Sequence, residues 1–426
     1  MTMGPTMNSP ISDHTAPPGA RALFRERDYM VYLVTRTLGV LGTVTQSVTM
    51  GWQVYDLARA DRSVAESALF VGFLGLATFL PLFFLALPAG VVADRYPRKT
   101  VLSLCFAGEA LCAISLVWAS VTGVLTVQVL LGIAFLFGVA RAFRAPAGVA
   151  LAPMLVPREL LPRAIAWNSL AFQMGRISGP ALAGYLVGNW SATHSYAVSL
   201  TMYIVPIIGL AFVRHPTRPA PHVGSRIERV REGLTYIWTN KVVLGAISLD
   251  LFAVLLGGAT ALLPVFARDI LLVGPEGFGL LRSAPAVGAA LVALVLASRP
   301  IYRHAGTAMF AGVAVFGVAT IVFGLSRSFP LSMLALATLG GADMVSVYVR
   351  QTLIQIVTPD AMRGRVASVS FLFIGASNEL GEFESGVTAR LFGPVMATLF
   401  GGIASLAVTG VWARVFPELR RVDRLG

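Results

Sequence analysis

Twelve long apolar runs constrain the fold of this 426-residue chain more than any other feature. Each run approaches the roughly 20 apolar residues that a helix needs to cross a hydrocarbon core about 30 Å thick. The runs are continuous, whereas the strands of a membrane barrel alternate apolar and polar residues. The sequence therefore predicts an all-α polytopic membrane protein. The predicted spans cover residues 30–54, 68–92, 101–120, 122–143, 165–188, 195–213, 243–266, 278–297, 307–325, 329–349, 366–389 and 394–415.

The overall composition excludes a soluble fold. Hydrophobic residues make up 56% of the chain and charged residues only 13%, whereas a soluble domain carries about a quarter charged residues. Residues 1–20 are polar and rich in proline, so we expect no cleavable signal peptide. Neither Lys99 nor Lys241, the two lysines of the chain, follows a glycine. The sequence therefore has no phosphate-binding loop, and it predicts neither an ATP-driven pump nor an enzyme.

The positive charges predict the orientation of the chain. The net charge is +12, but the basic residues stand almost entirely in alternate connections between the predicted spans, to which we also assign Arg141, Arg144 and Arg350. Because cytoplasmic loops carry an excess of Lys and Arg, this pattern places both termini in the cytoplasm. The charge then needs no nucleic-acid partner. We expect a multi-pass protein of the bacterial inner membrane.

The cysteine and histidine residues predict no metal site, no disulfide and no cofactor. Cys105 and Cys112 lie seven residues apart on one predicted helix, so both face the same side and cannot bridge each other. The five histidines fall in the N-terminal tail or in loops, without the spacing of metal ligands. We interpret the cysteines as small packing residues.

A polar, proline-rich stretch divides the predicted spans into two sets of six. The two sets repeat at a constant shift of 202 positions, since Gly179 and Gly184 correspond to Gly381 and Gly386. A shared offset favours duplication, as in transporters built from parallel repeats. The expected regions are a cytoplasmic N-terminal tail (1–28), an N-terminal six-helix bundle (29–214), a cytoplasmic linker (215–241), a C-terminal six-helix bundle (242–416) and a cytoplasmic C-terminal tail (417–426).

The linker contains a segment with alternating apolar and charged positions at helical spacing. It covers residues 226–238 and predicts an amphipathic helix. One interpretation is a helix lying on the anionic inner leaflet of the membrane. The other is a solvated linker helix without lipid contact.

A charged loop separates the second and third predicted spans. Gly90, Asp94, Arg95, Arg98 and Lys99 stand there in G-x-x-x-D-R-x-x-R-K order. This order resembles the loop signature of the major facilitator superfamily, whose members are secondary transporters with twelve helices in two six-helix bundles. The resemblance implies a conformational latch, in which Asp94 meets the N-terminus of the eleventh helix when the cytoplasmic side is closed. The alternative is that the three cations are ordinary positive-inside anchors.

The fifth predicted span carries a run of small residues. Gly175, Gly179, Pro180 and Gly184 resemble the G-x-x-x-G-P-x-x-G-G signature of exporters in the superfamily, with Ala183 in place of one glycine. Small residues let helix backbones approach each other, and proline bends a helix. The resemblance implies transport out of the cell. The alternative is a stripe that serves helix packing only.

Three ionisable side chains stand inside predicted spans at one depth. Arg36, Asp250 and Asp343 each lie roughly 10–12 Å from the predicted cytoplasmic edge, at a rise of about 1.5 Å per residue. Ionisable residues in spans are costly and mark functional sites by default. The superfamily resemblance implies that these helices line a central cavity, where the side chains would bind a proton or a cationic group. The alternative is a static Arg–Asp pair. The fourth-helix arginine of proton-coupled exporters is not evident, since Gln128 stands at the expected position.

A second set of charges lies further from the cytoplasmic edge. Glu379 and Glu382 share one face of the eleventh predicted span, and Arg176 of the fifth span lies at a depth similar to that of Glu379. We predict an interfacial charge network that breaks and re-forms during transport. The alternative is an outer rim exposed to water.

The most specific resemblance is to the transmembrane secretion effector branch of the superfamily, which includes enterobactin exporters. It runs from Arg27 onward through short motifs such as 263–269 and 416–423. It implies a monomeric secondary active transporter that exports a small amphipathic molecule by proton-coupled alternating access, with a siderophore as the sharper expectation. A multidrug or antibiotic efflux pump of the same superfamily and a transporter-like ligand sensor stay open as alternatives.

Overall fold

A computed structural model describes residues 20–217 and 226–423. In these ranges twelve long helical segments account for most of the chain, so the predicted all-α class is confirmed. The segments are α1 (Arg27–Arg59), α2 (Val64–Arg95), α3 (Arg98–Val121), α4 (Val127–Leu151), α5 (Leu161–Asn189), α6 (Ala192–Ala211), α7 (Lys241–Leu256), α8 (Gly274–Ser298), α9 (Ala305–Leu325), α10 (Phe329–Val357), α11 (Asp360–Phe392) and α12 (Pro394–Val415).

Nine of the described helical segments are long and apolar enough to cross a membrane. The segments α1, α5 and α11 are long enough but more polar along their length. Their polarity follows from their position, because all three contribute to the contact region between the two halves of the molecule. The prediction of twelve membrane-spanning helices stays a prediction for these three.

The helices pack mainly within two sequence halves, α1–α6 and α7–α12. Two extensive helix–helix contacts join the halves: α2 packs along α11, and α5 packs along α8. We call the end of the molecule where α1 begins and α12 ends the proximal end, and the opposite end the distal end. Since α2 and α5 recur in the repeat as α8 and α11, the two joining contacts are related by the duplication.

Pairs of glycines bring the backbones of the joining helices together. A Cβ atom placed on Gly184 of α5 would lie 2.8 Å from Cα of Gly279 in α8, and one on Gly386 of α11 would lie 2.7 Å from Cα of Gly72 in α2. Only residues without a side chain fit at this separation. The 202-residue shift that relates Gly184 to Gly386 thus corresponds to equivalent positions at the two crossings.

The seventh predicted span is not one regular helix. Regular structure ends at Leu256, and a 3-10 turn (Ala259–Leu262) and a π-helical turn (Phe266–Ile270) continue the path to the distal end. Two consecutive glycines and Pro264 follow the break, and these residues weaken or interrupt helical hydrogen bonding. The break leaves the backbone carbonyl of Thr260 available to Arg282 of α8.

The amphipathic linker segment forms a helix at Arg226–Thr239. Its apolar face packs on protein, because Ile237 is buried in a cluster that includes Val243 of α7 and Val366 of α11. The expectation that this apolar face lies on the inner leaflet is therefore wrong, and the hydrophobic effect instead fixes the helix to the C-terminal half. Lipid contact through the basic face stays a prediction.

The close α5–α8 crossing predicts sensitivity to added volume. Gly184→Val would place methyl groups against the Pro275 carbonyl oxygen, which lies 2.6 Å from the position of a Cβ atom. Overpacking of this kind costs about 1–3 kcal/mol, so we expect a lower melting temperature of the purified protein. Gly410→Val is the control, since nothing lies within 4 Å of a Cβ there. Equal melting temperatures of the two variants would contradict the crossing.

Candidate functional site

A cavity of about 150 Å³ lies between the two halves of the molecule. Helices α1, α2 and α4 form one side of it, and α8, α11 and the broken part of α7 form the other. Its walls combine apolar side chains with four charged ones. The charged residues are Arg141, Arg282, Glu379 and Glu382, and the apolar ones include Val48, Met50, Val71, Leu74 and Phe278.

Glu379 connects the halves through the cavity. Its carboxylate lies 3.6 Å from the guanidinium of Arg141 on α4, and it accepts a hydrogen bond of 3.1 Å from the Thr78 hydroxyl on α2. Both partners belong to the N-terminal half, whereas Glu379 stands on α11. Loss of the Glu379 charge would therefore weaken a contact across the interface, because charge-assisted hydrogen bonds are stronger than neutral ones.

Glu382 is held inside the C-terminal half. Arg282 of α8 donates a hydrogen bond of 2.9 Å to its carboxylate and another of 2.6 Å to the Thr260 carbonyl oxygen. The break in α7 makes this carbonyl available. Arg282 is thus fixed at two points, while Arg141 meets its carboxylate partner at longer range.

The predicted partner of these glutamates needs correction. Among the described residues, the arginines within ion-pair distance of Glu379 and Glu382 are Arg141 and Arg282, not Arg176. The guanidinium of Arg176 instead lies over the ring of Phe172, 5.9 Å from its centroid. Arg176 and Glu379 lie at a similar depth but do not form a contact, because the side chain of Arg176 does not point from α5 towards Glu379.

The three charges predicted at one depth do not form one cluster. Asp250 pairs with Arg350 of α10, and both residues are buried, with 4% and 2% of their surface exposed. Arg36 belongs to a different environment, 3.5 Å from the Tyr32 hydroxyl and 6.0 Å from the centroid of Phe172. The alternative of a static pair between Arg36 and Asp250 is therefore wrong, because Arg350 pairs with Asp250, and the role of the three charges in a proton or substrate site stays a prediction.

Asp343 stands on α10, about two turns before Arg350. It lies within electrostatic range of Asp250, Arg350 and Arg176. Among the described residues no cation lies within ion-pair distance of its carboxylate. Asp343 is thus a carboxylate near the interface whose charge is balanced only at longer range.

The N-terminal half contains its own buried ion pair. Glu109 of α3 is fully buried, accepts a hydrogen bond of 2.7 Å from Arg144 and another of 3.0 Å from the Thr43 hydroxyl. The structure thus gives Glu109 a partner in its own half. Arg144 and Arg141 lie three residues apart on α4, so one arginine meets a carboxylate inside the half and the other meets one across the interface.

Charged residues also join the halves at the distal end. Asp56 of α1 pairs with Arg268, and Arg59 pairs with Asp269 at 3.2 Å. The Tyr55 hydroxyl donates to the same Asp269 carboxylate. Glu66 caps the start of α2 and lies 3.2 Å from Arg390 at the end of α11. The π-helical turn after α7 brings Arg268 and Asp269 into these contacts.

The residues of the predicted latch lie at the proximal end. Gly90 is buried and Asp94 half-buried near the end of α2, and Arg95 is exposed. Lys99 donates a hydrogen bond of 2.9 Å to the carbonyl oxygen of Val213, beyond the end of α6. The Arg98 amide donates to the Thr217 carbonyl at 3.0 Å. The Lys99 ammonium and the Arg98 backbone amide therefore anchor this loop to the segment after α6.

The small residues of α5 face two different helices. Cβ atoms on Gly175 and Gly179 would lie 2.6 and 2.7 Å from side-chain carbons of α1. The Pro180 carbonyl and Gly184 pack against Gly279 of α8. The motif thus places α5 between its own half and the partner half, and its role in direction of transport stays a prediction.

Sequence reasoning missed the arginines that complete the site. Arg141, Arg144 and Arg350 were assigned to loops, but α4 and α10 continue to Leu151 and Val357. Arg282 lay inside a predicted span and stood out by no motif. The length of the helices was the missing signal, because a charged residue one turn beyond an apolar run still faces the bundle.

Comparison with known proteins identifies relatives along nearly the whole chain. The sequence profile of the transmembrane secretion effector family matches residues 19–425. An enterobactin exporter of Shigella boydii serotype 18 is 26% identical over 414 residues, which cover 95% of this chain and 93% of the relative. An enterobactin exporter of Escherichia coli O81 is also 26% identical over 414 residues, with the same coverage of 95% and 93%.

Solved transporters share the fold at low sequence identity. A bacterial homolog of the human lysosomal transporter Spinster, inward-facing and unoccupied, matches with a TM-score of 0.71 at 14% identity over 93% of this chain and 98% of that chain. A D-xylose–proton symporter matches with a TM-score of 0.71 at 11% identity over 92% of this chain and 98% of that chain. The predicted major facilitator fold is therefore confirmed.

The buried ion pair in the C-terminal half makes a stability prediction. Asp250→Asn leaves the Arg350 charge without a counter-ion, and breaking a buried pair in this way costs about 3–5 kcal/mol. Asp250→Leu combined with Arg350→Met is expected to recover most of that loss. Thermal unfolding of the purified variants measures both effects. The exposed pair of Asp61 and Arg62 is the control, where Asp61→Asn should cost about 0–1 kcal/mol.

Equal losses in Asp250→Asn and Asp61→Asn would show that the pair of Asp250 and Arg350 is not desolvated. A double variant less stable than Asp250→Asn would show that its two charges do not depend on each other.

Proposed function

The chain belongs to the transmembrane secretion effector family of the major facilitator superfamily, and from this premise we propose that it exports a small amphipathic molecule in exchange for protons. It is a multi-pass membrane transporter and not an enzyme. The observation that carries the proposal is Glu379, a carboxylate that joins the two halves inside the cavity between them. A proton on that carboxylate removes the charge on which the connection depends.

A siderophore is the proposed substrate. The named relatives that align with nearly the whole chain are enterobactin exporters. The cavity between the halves combines apolar side chains such as Phe278 with polar and charged groups at fixed positions, a combination suited to an amphipathic molecule. The glycine motif of α5 supports export as the direction of transport.

Two sets of contacts support alternating access. At the distal end Asp56 and Arg59 pair with residues that follow α7. At the proximal end the loop from Gly90 to Lys99 is the proposed latch, with Asp94 as its charged group. We place the proximal end, and with it both termini, in the cytoplasm, because the positive charges of the connections concentrate there. Closure then alternates between the two ends around the cavity.

Proton coupling is assigned to Glu379. In the closed distal state the deprotonated carboxylate holds Arg141 and Thr78 of the other half. After the halves separate at the distal end and substrate leaves, a proton from that side binds the carboxylate. The protonated, substrate-free form carries it to the proximal side, where release of the proton restores the contact and holds the distal end closed, so protons move inward as substrate moves outward. Asp250 is a weaker candidate, because its partner Arg350 belongs to the same half and their separation would not move the halves. Asp343 is the second candidate, since it stands near the interface.

Glu379→Gln is expected to abolish proton-driven accumulation. The amide keeps the size of the side chain and the hydrogen bond from Thr78 but loses the charge. We expect proteoliposomes with an acidic lumen, and the proximal end of the protein facing outward, to accumulate enterobactin with the wild-type protein only. Exchange of labelled for unlabelled enterobactin without a pH gradient should continue in the variant.

Asp61→Asn, at the exposed distal surface, is the control and should accumulate enterobactin as the wild type does. Accumulation by Glu379→Gln at the wild-type rate would assign the coupling proton to another carboxylate, with Asp343 as the next to test. Absence of both accumulation and exchange in the wild type would contradict the proposed substrate.

Charge reversal at the distal end tests the outer closure. Asp56→Arg and Arg268→Asp each place like charges together, so either variant should open this end more often. A cysteine introduced at Ala183, which is 1% exposed, should react faster with a charged thiol reagent in each single variant. The double reversal should return the rate towards that of the parent, which lacks Cys105 and Cys112. Identical rates in all four proteins would show that Asp56 and Arg268 do not contribute to closure of the distal end.

A further inference from the structure

We infer that Arg36, Phe172 and Arg176 form a binding site for an aromatic organic anion on the wall of the space between the two halves. We call this space the cleft. The inference rests on the proposed function and names the chemical class of its substrate. None of the three side chains takes part in the ion pairs that link the halves. They come from α1 and α5, two helices that pack closely on each other.

The geometry unites two cations and one aromatic ring. The guanidinium of Arg36 lies 6.0 Å from the centroid of the Phe172 ring, and that of Arg176 lies 5.9 Å from it. Both distances are within the range of cation–π attraction. The Phe172 side chain is nevertheless 42% exposed. A large part of the ring is therefore free to contact a ligand.

This group faces the cleft and not the lipid. On α5, Gly175 packs against α1, and Gln173 donates a hydrogen bond to the Ala286 carbonyl of α8. Phe172 and Arg176 therefore lie on the face of α5 between α1 and α8. Ala183, two turns after Arg176, lies on the same face. Ala183 is buried where the halves close. The same face of α5 is thus covered distally and accessible at Phe172 and Arg176.

The opposite face of α5 has a different pattern. Trp167, Met174 and Tyr185 are all exposed along the length of the helix. An apolar face exposed at every depth is the one expected against lipid. Arg176 therefore lies on the side that faces the partner half, which agrees with its electrostatic interaction with Asp343 of α10 and Arg282 of α8.

At close range this group carries two positive charges, because the Asp343 carboxylate interacts with Arg176 only beyond ion-pair distance. The other four arginines that stand within the bundle each lie within ion-pair distance of a carboxylate: Arg141, Arg144, Arg282 and Arg350. Among the described residues, Arg36 and Arg176 have no carboxylate at that distance. The Nε atom of Arg36 is also buried without a hydrogen-bond acceptor. A cation inside the membrane is costly without a partner, and a bound anion would supply one.

The residue types define the ligand. A guanidinium presents a planar fork of N–H donors that fits a carboxylate or phenolate oxygen pair. The exposed Phe172 ring adds a surface on which a planar conjugated group stacks. An anion bound here would also be driven out of the cell by an inside-negative membrane potential. These properties select an aromatic organic anion over a cation or an aliphatic molecule.

Binding of three matched probes tests the site. We would titrate the full-length protein in nanodiscs with 2-naphthoate, neutral 2-naphthamide and cationic 2-naphthylmethylamine, and measure affinity by calorimetry. The wild type should bind the anion at least about tenfold more tightly than the amide, which corresponds to about 1.4 kcal/mol. Arg176→Gln should remove this preference. Phe172→Leu should weaken both the anion and the amide and leave their ratio unchanged.

Two further variants separate the site from general effects. Arg36→Lys keeps the charge and should retain more of the anion preference than Arg36→Gln. Arg62→Gln removes a guanidinium that lies 4.9 Å from the Phe70 centroid outside the cleft, and it should bind all probes as the wild type does. Equal affinity for anion and amide in the wild type, tighter binding of the cation, or an unchanged preference in Arg176→Gln would overturn the inference.

Binding needs no transport, so this result is independent of the proton-driven assay. Loss of uphill transport with intact anion binding would contradict the proposed coupling and support this site. Intact proton-driven export with no anion preference would support the coupling and overturn this site.

Discussion

A charged side chain inside a membrane bundle is costly without an opposite charge, and this constraint shapes how the two halves of the molecule are built and joined. Each half contains a buried pair of its own, Glu109 with Arg144 and Asp250 with Arg350. These pairs do not cross the interface, so they can persist while the halves move. The contact of Arg141 with Glu379 does cross it. The difference between internal and crossing pairs separates the contacts within each half from the contact to which we propose that a proton binds.

Backbone packing sets where the halves can move. Gly184 with Gly279 and Gly72 with Gly386 allow α5–α8 and α2–α11 to approach without intervening side chains. The charge pairs at the distal end also help to close it. Ions in solution screen these pairs, and each pair alone is weak. Both crossings lie within about two turns of the distal ends of their helices. Close packing and charge pairs therefore hold the same end closed, and both must separate when that end opens.

Much of the architecture followed from the sequence, but the partners within the site did not. Apolar runs of about 20 residues located the helices, since the thickness of the bilayer fixes their length. Depth along a helix placed Arg176 and Glu379 at one level and yet did not pair them, because contact depends on the rotation of each helix. Arg350 was taken for a loop residue, since an apolar run ends one residue before it. The two consecutive glycines after Leu256 indicate a break in the helix. Only the structure shows that this break lets Arg282 donate a hydrogen bond to the Thr260 carbonyl.

The proposed mechanism requires that the charge on Glu379 keeps the distal end closed. Spin labels at Val124 and Leu391, two exposed positions in different halves at that end, would report their separation in nanodiscs by pulsed electron–electron resonance. We expect one short distance for the wild type in neutral buffer, and an additional longer distance for the wild type in acidic buffer and for Glu379→Gln in both buffers. A single distance, the same in both proteins and both buffers, would contradict it.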